Sequence, residues 1–336
     1  MDARILIVGD LHFSARSLPL LELLKEKILC TIDDLKPDHV VFLGDTHDRF
    51  GSINSTRSKE VTLFFYQVSI RVPFTLLVGN HDIPNKTLFY CEDHDFTAMK
   101  FYWKNTLVVD KCTTFEVNGY KFGAVAYCPN GRLLEGLEPA RPFSQLSAVF
   151  CHQEMRGCDI NGLPSKEGDR WHRSWCPIFC GHIHLHHACQ ANVHYVGSPY
   201  QDNFGENDDK SISLVTFSGR EWKEERIYLD LPKKIKMEMT MKTFLEWEPE
   251  APHLYSLSLS GTDKECRAVR ETEMYKRMTR DGNKVAILPT IFQIDRVEQT
   301  QTTREPERRT LKAIIAESIQ GKDYLFSIHN EVFPQQ

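Results

Sequence analysis

Three short apolar runs near the N-terminus each end in a glycine followed by an acid or its amide, and they do so at equal spacing. Ile5–Val8 leads into Gly9-Asp10-Leu11-His12, Val40–Leu43 into Gly44-Asp45-Thr46-His47-Asp48, and Leu76–Val78 into Gly79-Asn80-His81-Asp82. Asp10 to Asp45 and Asp45 to Asn80 are both intervals of 35 residues, about the length of one strand–helix–strand unit. The stretches between them, Leu18–Leu35 and Arg57–Ile70, have helical apolar periodicity. With strands at Arg4–Val8, His39–Leu43 and Phe74–Val78 the region reads βαβαβ, which requires a parallel sheet. Such sheets collect ligands at the carboxyl ends of their strands. Adjacent strand ends would therefore bring Asp10, Asp45 and Asn80 together.

From Leu107 the pattern changes to short strands. Glu116–Phe122 reads as a hairpin closed by Asn118-Gly119, and further strands are expected at Ala148–Cys151, Ile178–Cys180, Val193–Val196 and Ile212–Phe217. Ser218-Gly219 then turns the chain into Trp222–Leu229. This predicts a second sheet, more antiparallel than the first, and an α/β fold in which two mixed sheets stack as a four-layer α/β/β/α sandwich over residues 1–230. Leu231-Pro232 leads out of that body. The alternating His253–Ser260 and the helical Lys264–Met278 predict a smaller α/β accessory domain over 231–296. Val297–Arg309 is nearly devoid of apolar side chains and reads as a linker, followed by a short amphipathic helix at Leu311–Ile319, so 297–336 forms a third segment.

The residue types at the strand ends are those of a metal site. Asp10 and His12, two residues apart, can face one cation; Asp45 has two oxygens with which to bridge a pair; Asn80 offers an amide oxygen. Two later strands end in histidine, at His152 and at Gly181-His182-Ile183-His184. His81 is an imidazole that need not touch metal, and Asp48 could hold its ring and proton. Singly, each motif has a plain reading, because strand-end histidines pack and Gly-Asp pairs turn. Five in order, each after an apolar run, outweigh it. His172, Cys176, Cys180, His182, His184, His186, His187 and Cys189 could suggest a structural zinc instead, but no CxxC pair supports that. His47, His94, His186, His187 and His194 have no place in the scheme.

A formal charge of −5 argues against coating nucleic acid by bulk electrostatics, so any such contact must be local, as at Lys233-Lys234-Ile235-Lys236 or Arg304–Arg309. Ten scattered cysteines read as free thiols of a reducing compartment. No apolar stretch approaches the ~18 residues of a membrane span. The opening Met1-Asp2-Ala3-Arg4 leads at once into a strand, and a cytoplasmic location is expected.

The ordered set DxH, GDxxD, GNHD, a strand-end His and GHxH, between Arg4 and Asn203, resembles the calcineurin-like metallophosphoesterase superfamily. The resemblance implies that Asp10, His12 and His184 hold one cation and Asn80, His152 and His182 another, with Asp45 bridging and His81 free for acid catalysis. Mixed nitrogen and oxygen ligands suit two Mn²⁺ ions best, with Mg²⁺, Fe or Zn as alternatives. Tyr195–Glu206 with Lys210, and His152-Gln153-Glu154 with the polar insertion Met155–Ser174, are similar to the SbcD family, in eukaryotes the meiotic-recombination-eleven nucleases, in its compact phage or large-virus form. This implies a DNA exonuclease/endonuclease subunit acting at DNA ends in recombination and double-strand-break repair. It further implies an SbcC-type coiled-coil ATPase partner, a DNA-capping role for 231–296, and a homodimer built on the Arg57–Ile70 helix and one after the GNHD turn. Leu311–Ile319 would bind the ATPase. Two other readings stand beside it: a stand-alone phosphatase or cyclic-nucleotide phosphodiesterase with the same site, and a non-catalytic scaffold. A scaffold would be expected to lack a ligand or the acid, and none is missing.

Overall fold

The computed structural model describes residues 1–14, 18–48, 55–280 and 283–289. β1 (Ala3–Val8), α1 (Leu18–Leu35), β2 (His39–Phe42), α2 (Ser55–Ser69) and β3 (Phe74–Leu77) form the expected βαβαβ unit, and a short α3 (Thr97–Tyr102) precedes β4 (Thr106–Val109). β1 to β4 are parallel neighbours. β5 (Cys112–Val117) and β6 (Tyr120–Val125) form the hairpin at Asn118-Gly119, both with positive φ as a two-residue turn of this type requires. Then come α4 (Leu133–Gly136), β7 (Ala148–His152), the small hairpin β8 (Asp159–Ile160) and β9 (Leu163–Pro164), β10 (Ile178–Gly181), β11 (His187–Gln190), β12 (Val193–Tyr195), and the hairpin β13 (Ile212–Ser218) and β14 (Glu221–Ile227).

The strands order as β14-β13-β1-β2-β3-β4 and β11-β12-β10-β7-β6-β5. Two expectations are corrected here. The β13–β14 hairpin belongs to the first sheet, with Ile5 opposite Val215 in an antiparallel pair. The second sheet is no more antiparallel than the first: among the described residues each has three parallel and two antiparallel neighbour pairs. The connections 126–147 and 153–177 are long enough to cross over and restart a strand in the same direction, which only extended connections allow.

Strand alternation builds the layers. Ile5, Ile7, Val41 and Leu43 turn inward to meet Phe122, Phe150 and Phe179 of the other sheet. Leu6, Val8, Val40 and Phe42 face the other way, onto Leu24 and Ile28 of α1 and Phe64 and Phe65 of α2. On the far side Val125, Val149, Cys151 and Ile178 pack under Leu133, Phe143 and Trp171. The result is the α/β/β/α sandwich. Each fully buried phenylalanine in it contributes roughly 1.5–3 kcal/mol.

Beyond it, β15 (Lys234–Thr240), β16 (Leu254–Gly261) and β17 (Lys284–Pro289) form a parallel three-stranded sheet with β16 central. α5 (Met241–Glu246), α6 (Asp263–Arg270) and α7 (Glu273–Arg280) share a separate small core with it, around Phe244, Leu257 and Leu259. The single helix expected over Lys264–Met278 is two, α6 and α7, with the break at Glu271-Thr272. The Thr272 hydroxyl donates to the Val269 carbonyl at 2.6 Å there and competes with continuation of the helix. Met1–Thr290 is one compact unit. The expected linker 297–309 and helix 311–319 lie outside the described residues. Among the described residues no helix is long and apolar enough to cross a membrane.

Candidate metal centre

The turns after β1, β2, β3, β7 and β10 lie side by side, and those after β1, β2 and β10 are held in backbone conformations that L-residues seldom adopt. His12, Asp45 and His182 have φ of 41°, 47° and 82°. Such conformations cost on the order of 1–3 kcal/mol each and persist where the surroundings over-determine them. Here they do. His12 N donates to the Asp45 carbonyl at 2.9 Å, His182 N to Asp10 Oδ1 at 3.0 Å, and His81 N to Asp45 Oδ1 at 2.8 Å. Gly181 is needed for the approach, since a β-carbon there would stand 2.9 Å from Asp10 Oδ1 and 2.9 Å from His152 Nδ1.

Two ligand groups result, Asp10 with His12 and His184, and Asp45 with His152 and His182, in each of which the ligating atoms lie within 4.8 Å of one another. In the first, His12 Nε2 is 3.0 Å from His184 Nε2, and Asp10 Oδ2 is 3.9 Å and 3.6 Å from the two nitrogens. In the second, His152 Nε2 is 3.3 Å from Asp45 Oδ2 and 3.0 Å from Asn80 Oδ1. Asp45 stands between the groups, its Oδ2 also 3.7 Å from His12 Nε2. The donor set fits divalent cations. It is imidazole nitrogen and carboxylate oxygen, with Asp10, His12, Asp45 and His152 buried and His182 and His184 partly so, and the Nδ1 of His182 is buried without a hydrogen-bond partner. These are two divalent-metal-binding sites of Asp and His, suited to two-metal catalysis.

Proton competition in the cluster says the same. Burial works against ionisation of Asp45, but His152, His12 and His81 hold its carboxyl well below the usual range. Burial raises Asp10. For His152 burial favours the neutral ring, yet Asp45 and Asp10 outweigh it and push the imidazole up to about 10. Burial drives His12 down to about 3 and His182 to about 4. His152 and Asp10, so placed, hold protons that a cation must displace on binding, whereas the neutral rings of His12 and His182 and the ionised Asp45 offer it lone pairs.

His81 lies beside both groups and in neither. Its ring meets His12 edge-on at 5.0 Å, its Nε2 is 3.9 Å from Asp45 Oδ2, and it is more exposed than the ligands. Its Nδ1 donates to the backbone carbonyl of Asp48 at 3.0 Å, so the contact seen with Asp48 is a main-chain one. The other histidines have partners of their own: His47 stacks on Phe96 and faces Asp95 at 3.2 Å, His94 faces Asp110, and His186 faces Glu224. Among the described residues, neither metal group includes a cysteine.

Two carboxylates that sequence reasoning gave no role stand behind the ligands. Buried Asp82 accepts from Gly79 N at 2.9 Å, Thr46 N at 3.3 Å and His47 N at 3.0 Å, tying the second turn to the third. Its place at the end of Gly-Asn-His-Asp was the available signal. Glu206 accepts from His184 Nδ1 at 2.8 Å; 22 residues separate them, and nothing local pairs the two. An open trough of about 700 Å³ passes the site, lined by Glu154, Asn161, His182, His184, Asn203 and Lys210 among others.

Residues 3–210 match the family described as calcineurin-like phosphoesterase. The chain is 33% identical over 285 residues to "Putative phosphoesterase 078R" of Invertebrate iridescent virus 3, covering 83% of this chain and 82% of the relative. It is 29% identical over 286 residues to "Putative phosphoesterase 244L" of Invertebrate iridescent virus 6, covering 81% and 99%. The crystal structure of TT1561 of Thermus thermophilus aligns with a TM-score of 0.43 at 14% identity, over 67% of this chain and 99% of that one.

Proposed function

The chain belongs to the calcineurin-like phosphoesterase family and is a metal-dependent phosphoesterase; on that premise we propose that it cleaves phosphodiesters with two cations shared across Asp45, and with His81 as the acid. The observation that carries this is the position of Asp45, whose carboxylate lies within 4 Å of rings from both ligand groups and of His81. Asp10, His12 and His184 would hold one cation and Asn80, His152 and His182 the other, Mn²⁺ being the best match to the donors. When bound, such a pair supplies Lewis acidity and charge neutralisation at the phosphoryl group.

The chain's own contribution is placement and one proton. With Nδ1 of His81 donating to the Asp48 carbonyl, the doubly protonated ring would give its Nε2 proton to a departing alkoxide and keep the one on Nδ1.

Of the narrower readings, a stand-alone phosphatase or cyclic-nucleotide phosphodiesterase needs nothing beyond this site, and we adopt it. The DNA-end nuclease reading is kept second on specific observations. The SbcD-like segment from Tyr195 to Lys210 supplies part of the trough wall, and α2 and α3 expose Leu63, Tyr66 and Phe101 although their other faces are buried. An apolar face on these helices supports a homodimer. The test is hydrolysis, with Mn²⁺, of a chromogenic phosphomonoester, a cyclic nucleotide, and end-labelled duplex and hairpin DNA by wild type and Asp45→Ala. Turnover of the small esters with DNA ends left intact supports the first reading. Digestion of DNA ends, stimulated by an SbcC-type ATPase, supports the second. Wild-type and Asp45→Ala rates that match on every substrate would reject both.

A further inference from the structure

His184 is gripped from behind by a charged residue, whereas its counterpart in the other ligand group is not. Its Nδ1 lies 2.8 Å from Glu206 Oε1. An ionised carboxylate can only accept, so the ring carries its proton on Nδ1 and leaves Nε2 with a free lone pair. Nε2 is the atom that faces His12 Nε2 at 3.0 Å and Asp10 Oδ2 at 3.6 Å. His152, in the second group, has its Nδ1 2.8 Å from the Leu43 carbonyl, a main-chain acceptor.

Glu206 is itself fixed on all sides. Lys210 Nζ is 2.8 Å from its Oε2, Asp202 N donates to Oε2 at 3.2 Å, and Asn203 Nδ2 donates to Oε1 at 2.9 Å. Lys210 Nζ also donates to the His184 carbonyl at 2.8 Å and to Ser198 Oγ at 2.9 Å, so the same lysine holds the backbone of the ligand and the carboxylate behind its ring. A histidine ligand backed by a carboxylate has its tautomer and orientation set and its basicity raised.

From this asymmetry we infer that Glu206 is a positioning residue for the cation site of Asp10, His12 and His184, and for that site alone. The inference rests on the two-cation reading above. It requires that the two sites load separately, the one anchored on the Leu43 carbonyl being indifferent to the residue at 206. If Glu206 merely closed the turn from Asp202 to Lys210, its loss would act on the fold and on both sites alike.

The test is Mn²⁺ binding to the metal-free full chain by equilibrium dialysis, with electron paramagnetic resonance of the bound ion. Wild type, Glu206→Ala, Glu206→Gln and Asp208→Ala are compared, and the urea midpoint of each metal-free chain reports folding. Wild type is expected to bind two equivalents and show a spin-coupled pair. Glu206→Ala keeps the first equivalent and binds the second about 10–100-fold more weakly, giving an isolated-ion spectrum at the same loading. Glu206→Gln retains an acceptor for Nδ1 and falls between the two, which carries the test should the alanine variant not fold. Asp208→Ala, which loosens the same turn by removing an exposed ion pair with Lys233 and leaves Glu206 and His184 untouched, binds both equivalents as wild type does. A second equivalent in Glu206→Ala within twofold of wild type, or both equivalents weakened together, would overturn the inference while leaving the two-cation reading standing. Only a wild-type chain that takes up fewer than two equivalents would overturn that reading as well.

Discussion

A β-carbon on Gly79 would overlap both the backbone nitrogen and the Oδ1 of Asp45. The glycine that opens the third turn is therefore the space into which the central carboxylate of the second turn fits. Gly79→Ala must push Asp45 away from His152 and His12. Because displacement of a reacting constellation by about 1 Å costs on the order of 10²-fold in rate, we expect kcat/KM to fall by about that factor. Bound Mn²⁺ per chain should drop in parallel. Wild-type metal content with wild-type turnover would contradict the role given to Asp45.

Separating the acid from the ligands gives a second expectation. Asp45→Ala should lose metal and turnover together, whereas His81→Ala should retain both equivalents of Mn²⁺ and lose about 10²–10⁴-fold in rate. The loss in His81→Ala should shrink as the leaving group becomes more acidic, since a good leaving group needs no proton. A deficit of equal size for nitrophenyl and alkyl esters would remove His81 from the acid's role.

Asp82 offers a third. Its carboxylate takes three main-chain N–H groups, from Gly79, Thr46 and His47, and Asp82→Ala leaves those donors buried without it. Each unmet donor costs roughly 1–3 kcal/mol. The variant should unfold at clearly lower urea concentration than wild type, with metal absent from both. Equal midpoints would show that the three bonds are replaced by water.

The legible parts of this molecule were those written in local pattern. A strand that ends in a glycine and a polar residue announces itself within ten residues, and four such endings, with a fifth strand ending in His152 alone, were enough for the α/β/β/α class and for the strand ends that carry Asp10, Asp45, Asn80, His152 and His182. What depended on distant partners was not legible. Glu206 meets His184 only because the turn after Ser198 folds back, and β13 joins β1 across more than 200 residues of chain. Lys233-Lys234-Ile235-Lys236, a basic run in the sequence, leads into strand β15 with Lys233 and Lys236 exposed, while Lys234 bonds Gln201 through its main chain at 2.7 Å, a contact no local pattern announces. The break between α6 and α7 has no Gly or Pro to mark it. There the Thr272 hydroxyl bonds the Val269 carbonyl, and the Glu271 and Thr272 N–H groups turn to carbonyls three residues back.

His39, remote from the chemistry, gives the last prediction. It is buried at the start of β2, bonded through Nε2 to Thr75 Oγ1 at 2.8 Å and stacked on Phe115 at 5.0 Å, and burial lowers its imidazole to about 4. In the unfolded chain the ring titrates near 6.5. Below that pH the unfolded state takes up a proton that the folded state refuses, so the stabilisation present above pH 6.5 is lost as the pH falls toward 4. The loss amounts to on the order of 3 kcal/mol. His39→Gln keeps a hydrogen-bonding group beside Thr75 and does not titrate, so its stability should fall less steeply across this window, by about one proton's worth of slope. Urea denaturation from pH 7 to 4 with chelator present measures this. His12 and His182 titrate in both chains, so the difference between wild type and variant isolates His39, and parallel curves would mean that the ring is reached by water and protonates in place.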